Sequence, residues 1–156
     1  MKNILFVDTN PFLYLLTKKE KKWERVTDVL DNDKYDLATS VIVINELKFK
    51  LLWMKASEQL GTNNKFEIIN QIKENKKLRN EVYSVFLEFY IKIKQRFTIF
   101  EIKGEDELLS CNLSNEHGLL PSDSSILATM ENNNIKKILT DDSDFKKIKS
   151  IEVIEI

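Results

Sequence analysis

The sequence predicts an α/β fold, with a mostly parallel sheet of about five strands and helices on both faces. Short apolar runs of strand character alternate along the chain with segments of helical periodicity, the pattern of a parallel sheet. The first run, Ile4-Leu5-Phe6-Val7, is apolar at consecutive positions, as a strand covered on both faces requires. Asp8, Asp142 and Asp144 follow strand-like runs and Asp123 opens a helix-like one, where open parallel sheets gather their binding groups.

Taken in order, residues 3–7 form the first strand. Asp8-Thr9-Asn10-Pro11 breaks it and opens a helix, with Thr9 or Asn10 as its cap and Pro11 at its first position. Phe12, Leu15 and Leu16 of that helix are expected to face the core. Lys18 to Lys22 is a charged connector. Trp23, Val26, Val29 and Leu30 recur at helical spacing, with Trp23 expected in the core, and Asp31-Asn32-Asp33 ends this helix. Tyr35 to Thr39 reads as the second strand. Val41-Ile42-Val43-Ile44 has strand propensity, but Ile44, Leu47 and Leu51 keep a helical period and Ser40 is a good cap. A helix from about Val41 to Lys55 is therefore expected, with packing overriding propensity at its start. Residues 56–64, polar and carrying Gly61, are expected to be a break.

Lys65 to Phe97 is a long, Lys-rich helical pattern, divisible into two helices near Asn75. Its apolar stripe is Leu78, Val82, Val85, Phe86, Phe89 and Ile93. Thr98 to Ile102 is the third strand. Glu105 to His117 is a helix that Gly118 terminates. Pro121-Ser122 opens the next, with Ser122 as cap and Ile126, Leu127 and Met130 inward. Asn132-Asn133-Asn134 ends it. Lys137 to Thr140 and Ile151 to Ile156 are the fourth and fifth strands.

The length of 156 residues suits one domain, residues 1–156. A chain of this size buries roughly 70% of its unfolded surface and needs no structural metal or disulfide. The single cysteine, Cys111, excludes an internal disulfide and fits a reducing, cytoplasmic setting. With one histidine besides, it also argues against a zinc site. There is no apolar run of the roughly 18 residues that a membrane helix needs, and the start Met1-Lys2-Asn3 carries no signal-peptide pattern. A net charge of −1 with 31% charged residues does not advertise nucleic-acid binding. Local basic groups still qualify as backbone-tracking patches: Lys18, Lys19, Lys21 and Lys22, or Lys73, Lys76 and Lys77.

Each acid has a plain structural reading of its own. Asp8 suits a helix cap, Asp123 a helix N-terminus, Glu46 a solvated helix face, and Asp142 and Asp144 a turn. Their joint placement points further: carboxylates that meet beyond a sheet without a basic partner imply a cation. Asp8 and Asp142 are expected closest to it, because each follows a central strand. Thr9, Asn10 and Thr140 are placed to hydrogen-bond carboxylates or a phosphate. His117 belongs to the last turn of its helix, and Cys111, six residues earlier, does not share its face.

Val7-Asp8-Thr9-Asn10, Glu46 after the second strand, Pro121-Ser122-Asp123, and Thr140-Asp141-Asp142-Ser143-Asp144-Phe145 resemble, in order and spacing, the PIN domain family. The resemblance covers essentially the whole chain and is closest to the toxin-type ribonucleases of toxin–antitoxin pairs. It implies a three-layer α/β/α sandwich and a Mg²⁺- or Mn²⁺-dependent endoribonuclease. Asp8, Glu46, Asp123 and Asp142 would be its catalytic acids, and these with Asp144 its metal-binding set. Thr9, Asn10 and Thr140 would support them, and Asp141, at a variable position, takes no role. It further implies an RNA substrate, an antitoxin partner and a homodimer. The chain departs from the compact toxins in a longer, Lys-rich stretch at 56–80. It also has only three arginines, Arg25, Arg79 and Arg96.

The alternative is a catalytically weak PIN scaffold that binds RNA or protein within an RNA-processing assembly. Other acidic α/β folds fit less well. A haloacid-dehalogenase-like enzyme wants Asp-x-Asp where this chain has Asp8-Thr9-Asn10. A receiver domain wants an aspartate after the third strand, here Ile102-Lys103. No Gly-rich phosphate loop is present.

Overall fold

The computed structural model describes residues 3–18 and 21–156. Met1, Lys2 and Lys19, named above in the chain's start and in a basic group, lie outside the described residues. The elements run β1 (Asn3–Val7), α1 (Thr9–Thr17), α2 (Lys22–Leu30), β2 (Tyr35–Ser40), α3 (Val41–Leu60), α4 (Lys65–Glu74) and α5 (Lys76–Arg96). They continue with β3 (Thr98–Phe100), α6 (Gly104–His117), α7 (Pro121–Asn132), β4 (Lys137–Leu139), a 3-10 turn (Phe145–Lys147) and β5 (Glu152–Ile154).

The sheet has the order β3-β2-β1-β4-β5, and all four pairings are parallel. The chain winds outward from β1 through β2 to β3, then crosses back to β4 and on to β5. Right-handed crossovers therefore put α1 to α5 on one face and α6 and α7 on the other. Within each group α1 packs on α2 and α3, α3 on α4 and α5, and α6 on α7, while α3 also meets α7. The winding direction changes between β1 and β4, which makes the carboxyl ends of these two strands the switch point of the sheet. Leu5, Phe6, Val7, Ile138 and Leu139 are wholly buried, as expected of a strand covered on both faces, but Ile4, near the start of β1, is exposed. Phe12 docks α1 by its ring, edge-on to Phe97 at 5.3 Å and to Phe89 at 5.9 Å. Among the described residues no helix is long and apolar enough to cross a membrane.

The structure corrects several expectations. Asp8, not Thr9 or Asn10, caps α1: its backbone is extended and its carboxylate accepts from the Thr9 amide. Leu120 rather than Ser122 holds the cap position of α7, because Pro121 fills the first helical position and leaves Ser122 inside the first turn. Ser40 does cap α3, accepting from the Val43 amide. That helix runs beyond Lys55 to Leu60, since buried Ala56 continues its inner face and Gly61, at φ 61, supplies the left-handed stop. Residues 56–64 thus reduce to a short connection before Asn64, whose side chain caps α4. The break near Asn75 is real, and its side chain caps α5 through the Leu78 amide.

Trp23 is half-buried rather than core, and Val85 is 54% exposed, outside the inward stripe of α5. The last three strands are shorter than expected, at three residues each. The Lys-rich stretch forms, with the extension of α3, a second apolar cluster of Leu52, Ala56, Ile68, Leu78 and Val82.

Candidate functional site: acids at the switch point

Asp8 leaves β1 at the switch point and is buried. Its backbone amide still donates to the Leu139 carbonyl at 3.2 Å, so it is pinned to β4. Oδ1 accepts from the Thr9 amide at 2.7 Å and Oδ2 from the Thr140 hydroxyl at 2.7 Å. The Thr140 hydroxyl in turn accepts from the Asp142 amide at 3.0 Å. Asp142 Oδ1 accepts from the Asp144 amide at 2.8 Å. The spacing Thr-x-Asp-x-Asp is therefore a run of side-chain-to-backbone turns that winds the chain past β4 and ties it to Asp8. Phe145, fully buried, anchors the far end.

Asp123 sits half-buried in the first turn of α7. Its carboxyl is pushed up to about 6, chiefly by burial, then by the charges of Asp142, Asp8, Glu46 and Asp144. All four other predicted acids thus act on one carboxyl, although they come from three segments of the chain. A helix N-terminus ordinarily favours a charged aspartate; here burial and like charge win. Burial also pushes Asp8 upward, with Glu46 adding to the rise, while Thr140, Thr9 and Lys50 pull the other way.

The expectation that these acids lack basic partners is corrected. Lys50 Nζ lies 2.8 Å from Glu46 Oε1, one turn along α3. Lys147 Nζ lies 2.7 Å from Asp144 Oδ1. Among the described residues, Asp8, Asp123 and Asp142 have no ion pair. The cleft therefore has three inner carboxylates without a lysine and two outer ones that carry one.

Asp141, which the sequence left without a role, is the most heavily bonded acid here. It accepts from Asn10 Nδ2 at 2.8 Å, from Lys22 Nζ at 2.9 Å and from the Tyr14 hydroxyl. Burial raises its carboxyl, but these three donors outweigh it and hold it below the usual range. Asn10 Oδ1 accepts from Lys50 Nζ at 3.1 Å. One polar chain thus runs Lys22–Asp141–Asn10–Lys50–Glu46 and joins α2, the end of β4, α1 and α3. The Glu46 to Lys50 spacing was its one sequence signal; the rest spans 40 to 131 residues and leaves no local trace.

Thr140 fulfils its expected role, and Asn10 bonds a carboxylate, though that of Asp141. Thr9 bonds Asp8 through its amide, while its buried hydroxyl has no partner among the described residues. The arginines stay away from the acids: Arg96 pairs with Asp31 at 3.0 Å, and Arg79 donates to the Ile72 carbonyl at 2.8 Å. His117 is in the last turn of α6, and Cys111 is exposed.

Among the described residues no three His, Cys, Asp or Glu side chains stand ready to enclose a bare metal ion. The donor set is nonetheless all oxygen and over-charged, which suits a hard divalent cation that retains several of its waters. Asp8, Asp123 and Asp142, without an ion pair among the described residues, are the ones that could hold it.

The fold and this cleft define an α/β protein with an acidic switch point. A model of the PIN domain family matches residues 5–151, and the chain belongs to that family. Ribonuclease VapC6 of Methanocaldococcus jannaschii is 29% identical over 153 residues, covering 97% of this chain and 96% of that protein. A toxin–antitoxin complex from Klebsiella pneumoniae holds a chain that superposes with a TM-score of 0.63 at 20% identity, covering 99% of this chain and 100% of that one. VapC20 of Mycobacterium tuberculosis, a toxin described as cleaving the sarcin–ricin loop, gives 0.62 at 14% identity, covering 92% and 93%.

Proposed function

We propose that this protein is a divalent-metal-dependent endoribonuclease and the toxin of a toxin–antitoxin pair. The observation that carries the reading is the tie of Asp8 through the Thr140 hydroxyl to Asp142, close enough to Asp123 to push its carboxyl up, with no ion pair on these three acids among the described residues. The full-length relative named a ribonuclease and the family membership support it.

Asp8, Asp123 and Asp142 would hold Mg²⁺ or Mn²⁺, with Glu46 and Asp144 acting from the rim. A divalent ion there supplies an activated water nucleophile and neutralises charge on the phosphate. The chain's own part is to orient. Thr140 fixes Asp8 and Asp142 against each other, and Asp123 carries a charge that burial and its acidic neighbours disfavour. Water adds at phosphorus, the bond to the 3′ oxygen breaks, and that oxygen takes a proton. The products are a 5′-phosphate and a 3′-hydroxyl. The partners on this reading are RNA, an antitoxin that covers the cleft with a basic side chain, and a second copy of this chain.

The test is incubation of the purified protein with structured RNAs, with Mn²⁺ or with chelator. Cleavage with Mn²⁺ that chelator stops and that Asp8→Asn and Asp142→Asn abolish is expected. Cleavage by either variant at the wild-type rate removes that residue from the site. Absence of any cleavage together with absence of Mn²⁺ binding overturns the reading.

A further inference from the structure

Lys50, like Lys22 at the other end of the polar chain, is held at the cleft by more than one contact. Its ammonium lies 2.8 Å from Glu46 Oε1 and 3.1 Å from Asn10 Oδ1, so two elements hold it. Its side chain is 35% exposed, against 66% for Lys147 on Asp144. Asn10 is itself fixed by the Asp141 carboxylate at 2.8 Å, so the ammonium rests against an anchored acceptor rather than on a free rotor. Asp8, on the far side of Asn10 in the sequence, also feels the Lys50 charge. An ion pair one turn apart on an exposed helix is ordinarily weak and mobile; a second contact, from the neighbouring helix α1, makes this one part of the cleft.

We propose that Lys50 is a built-in cation on the Glu46 side of the cleft, so that the site takes one divalent ion, among the inner acids, rather than two. The inference rests on the nuclease reading. A carboxylate that ligates Mg²⁺ directly needs it at roughly 2.0–2.1 Å. The ammonium already occupies the approach to Glu46 and would repel a second doubly charged neighbour. Asn10 is then a positioning residue for Lys50, and Asp141 is one for Asn10.

The experiment counts Mn²⁺ ions by electron paramagnetic resonance, which reads free Mn²⁺ directly, on the whole protein without RNA. One bound equivalent is expected for the wild type, two for Lys50→Gln, and one for Lys50→Arg, which keeps the charge. Two equivalents in the wild type, one in both wild type and Lys50→Gln, or two in Lys50→Arg overturns the proposal. In those cases Mn²⁺-dependent cleavage of RNA by the wild type leaves the nuclease reading standing. No bound Mn²⁺ in any form, with no cleavage, removes both. Lys50 is half-exposed on a capped helix, and a wild-type melting curve for each variant confirms that the count is made on folded protein.

Discussion

A carboxyl that titrates near neutrality reports on everything around it, and Asp123 is that reporter. Its usual value of 3.8 rises to about 6 in the fold. Between these values the folded protein holds more protons on Asp123 than the unfolded chain does. Stability of the metal-free protein therefore falls as pH rises from about 4 to about 6 and is flat above, as far as this group is concerned. Asp8, also raised, acts in the same direction. Asp123→Asn is expected to remove the Asp123 share of that slope. It should stabilise the metal-free protein above pH 7 by about 1 kcal/mol, once screening of a half-exposed group is allowed for. A divalent ion competes with the same proton, so Mn²⁺ affinity should drop as pH falls through about 6. Thermal melts at pH 5 and pH 7.5, with and without Mn²⁺, check both. A wild-type melting temperature no higher at pH 5 than at pH 7.5 without metal, and unmoved by Asp123→Asn, would mean that the charges do not meet at this carboxyl.

At the scale of an element, the segment after β4 does its work through one hydroxyl. Thr140 is buried, donates to Asp8 and accepts from the Asp142 amide. Thr140→Val leaves a buried carboxylate oxygen and a backbone N–H without partners, which costs about 2–3 kcal/mol. It also frees two inner acids from their mutual alignment, which lowers cleavage by roughly 10–100-fold, the usual scale for residues that orient metal ligands. Thr140→Ser keeps the hydroxyl and should lose much less on both counts. Urea unfolding and initial cleavage rates measure the two effects, and equal losses in the valine and serine variants would refute the role. The inner acids were legible because each stands next to a clear strand end or helix start. The ties to Lys50 and Asp141 were not, because they join α1 to residues 40 and 131 positions away. Capping at the helix starts was misjudged by one or two residues for a related reason. Asp8 is at once cap and site residue, and Pro121 displaces the cap backward to Leu120, whose side chain makes no cap bond.

For the whole molecule, the alternation of elements fixed the sheet class, since parallel strands need crossovers and right-handed crossovers leave few topologies. What sequence pattern missed was how the polar stretch around 56–64 is absorbed. Ser57, Glu58 and Gln59 look like a loop, yet the helix carries on because Ala56 and Leu52 have a partner face in Ile68, Leu78 and Val82. This small cluster is distinct from the main core, which runs through the sheet and across Phe12, Leu127 and Phe145. Two cores of unequal size in one chain predict unequal local stability. Amides of α4 and the start of α5 should exchange with deuterium well before those of β1 and β4. Ile68, fully buried in the smaller core, is the place to press the point. Ile68→Ala costs about 2–4 kcal/mol where the cavity forms. Its effect should fall on α4, the first turns of α5 and the end of α3, leaving protection of β1, β4 and the Asp8–Thr140 tie unchanged. Hydrogen-exchange mass spectrometry resolves the two regions. If exchange in the sheet rose as much as in α4, α4 and the start of α5 would be part of the cooperative core.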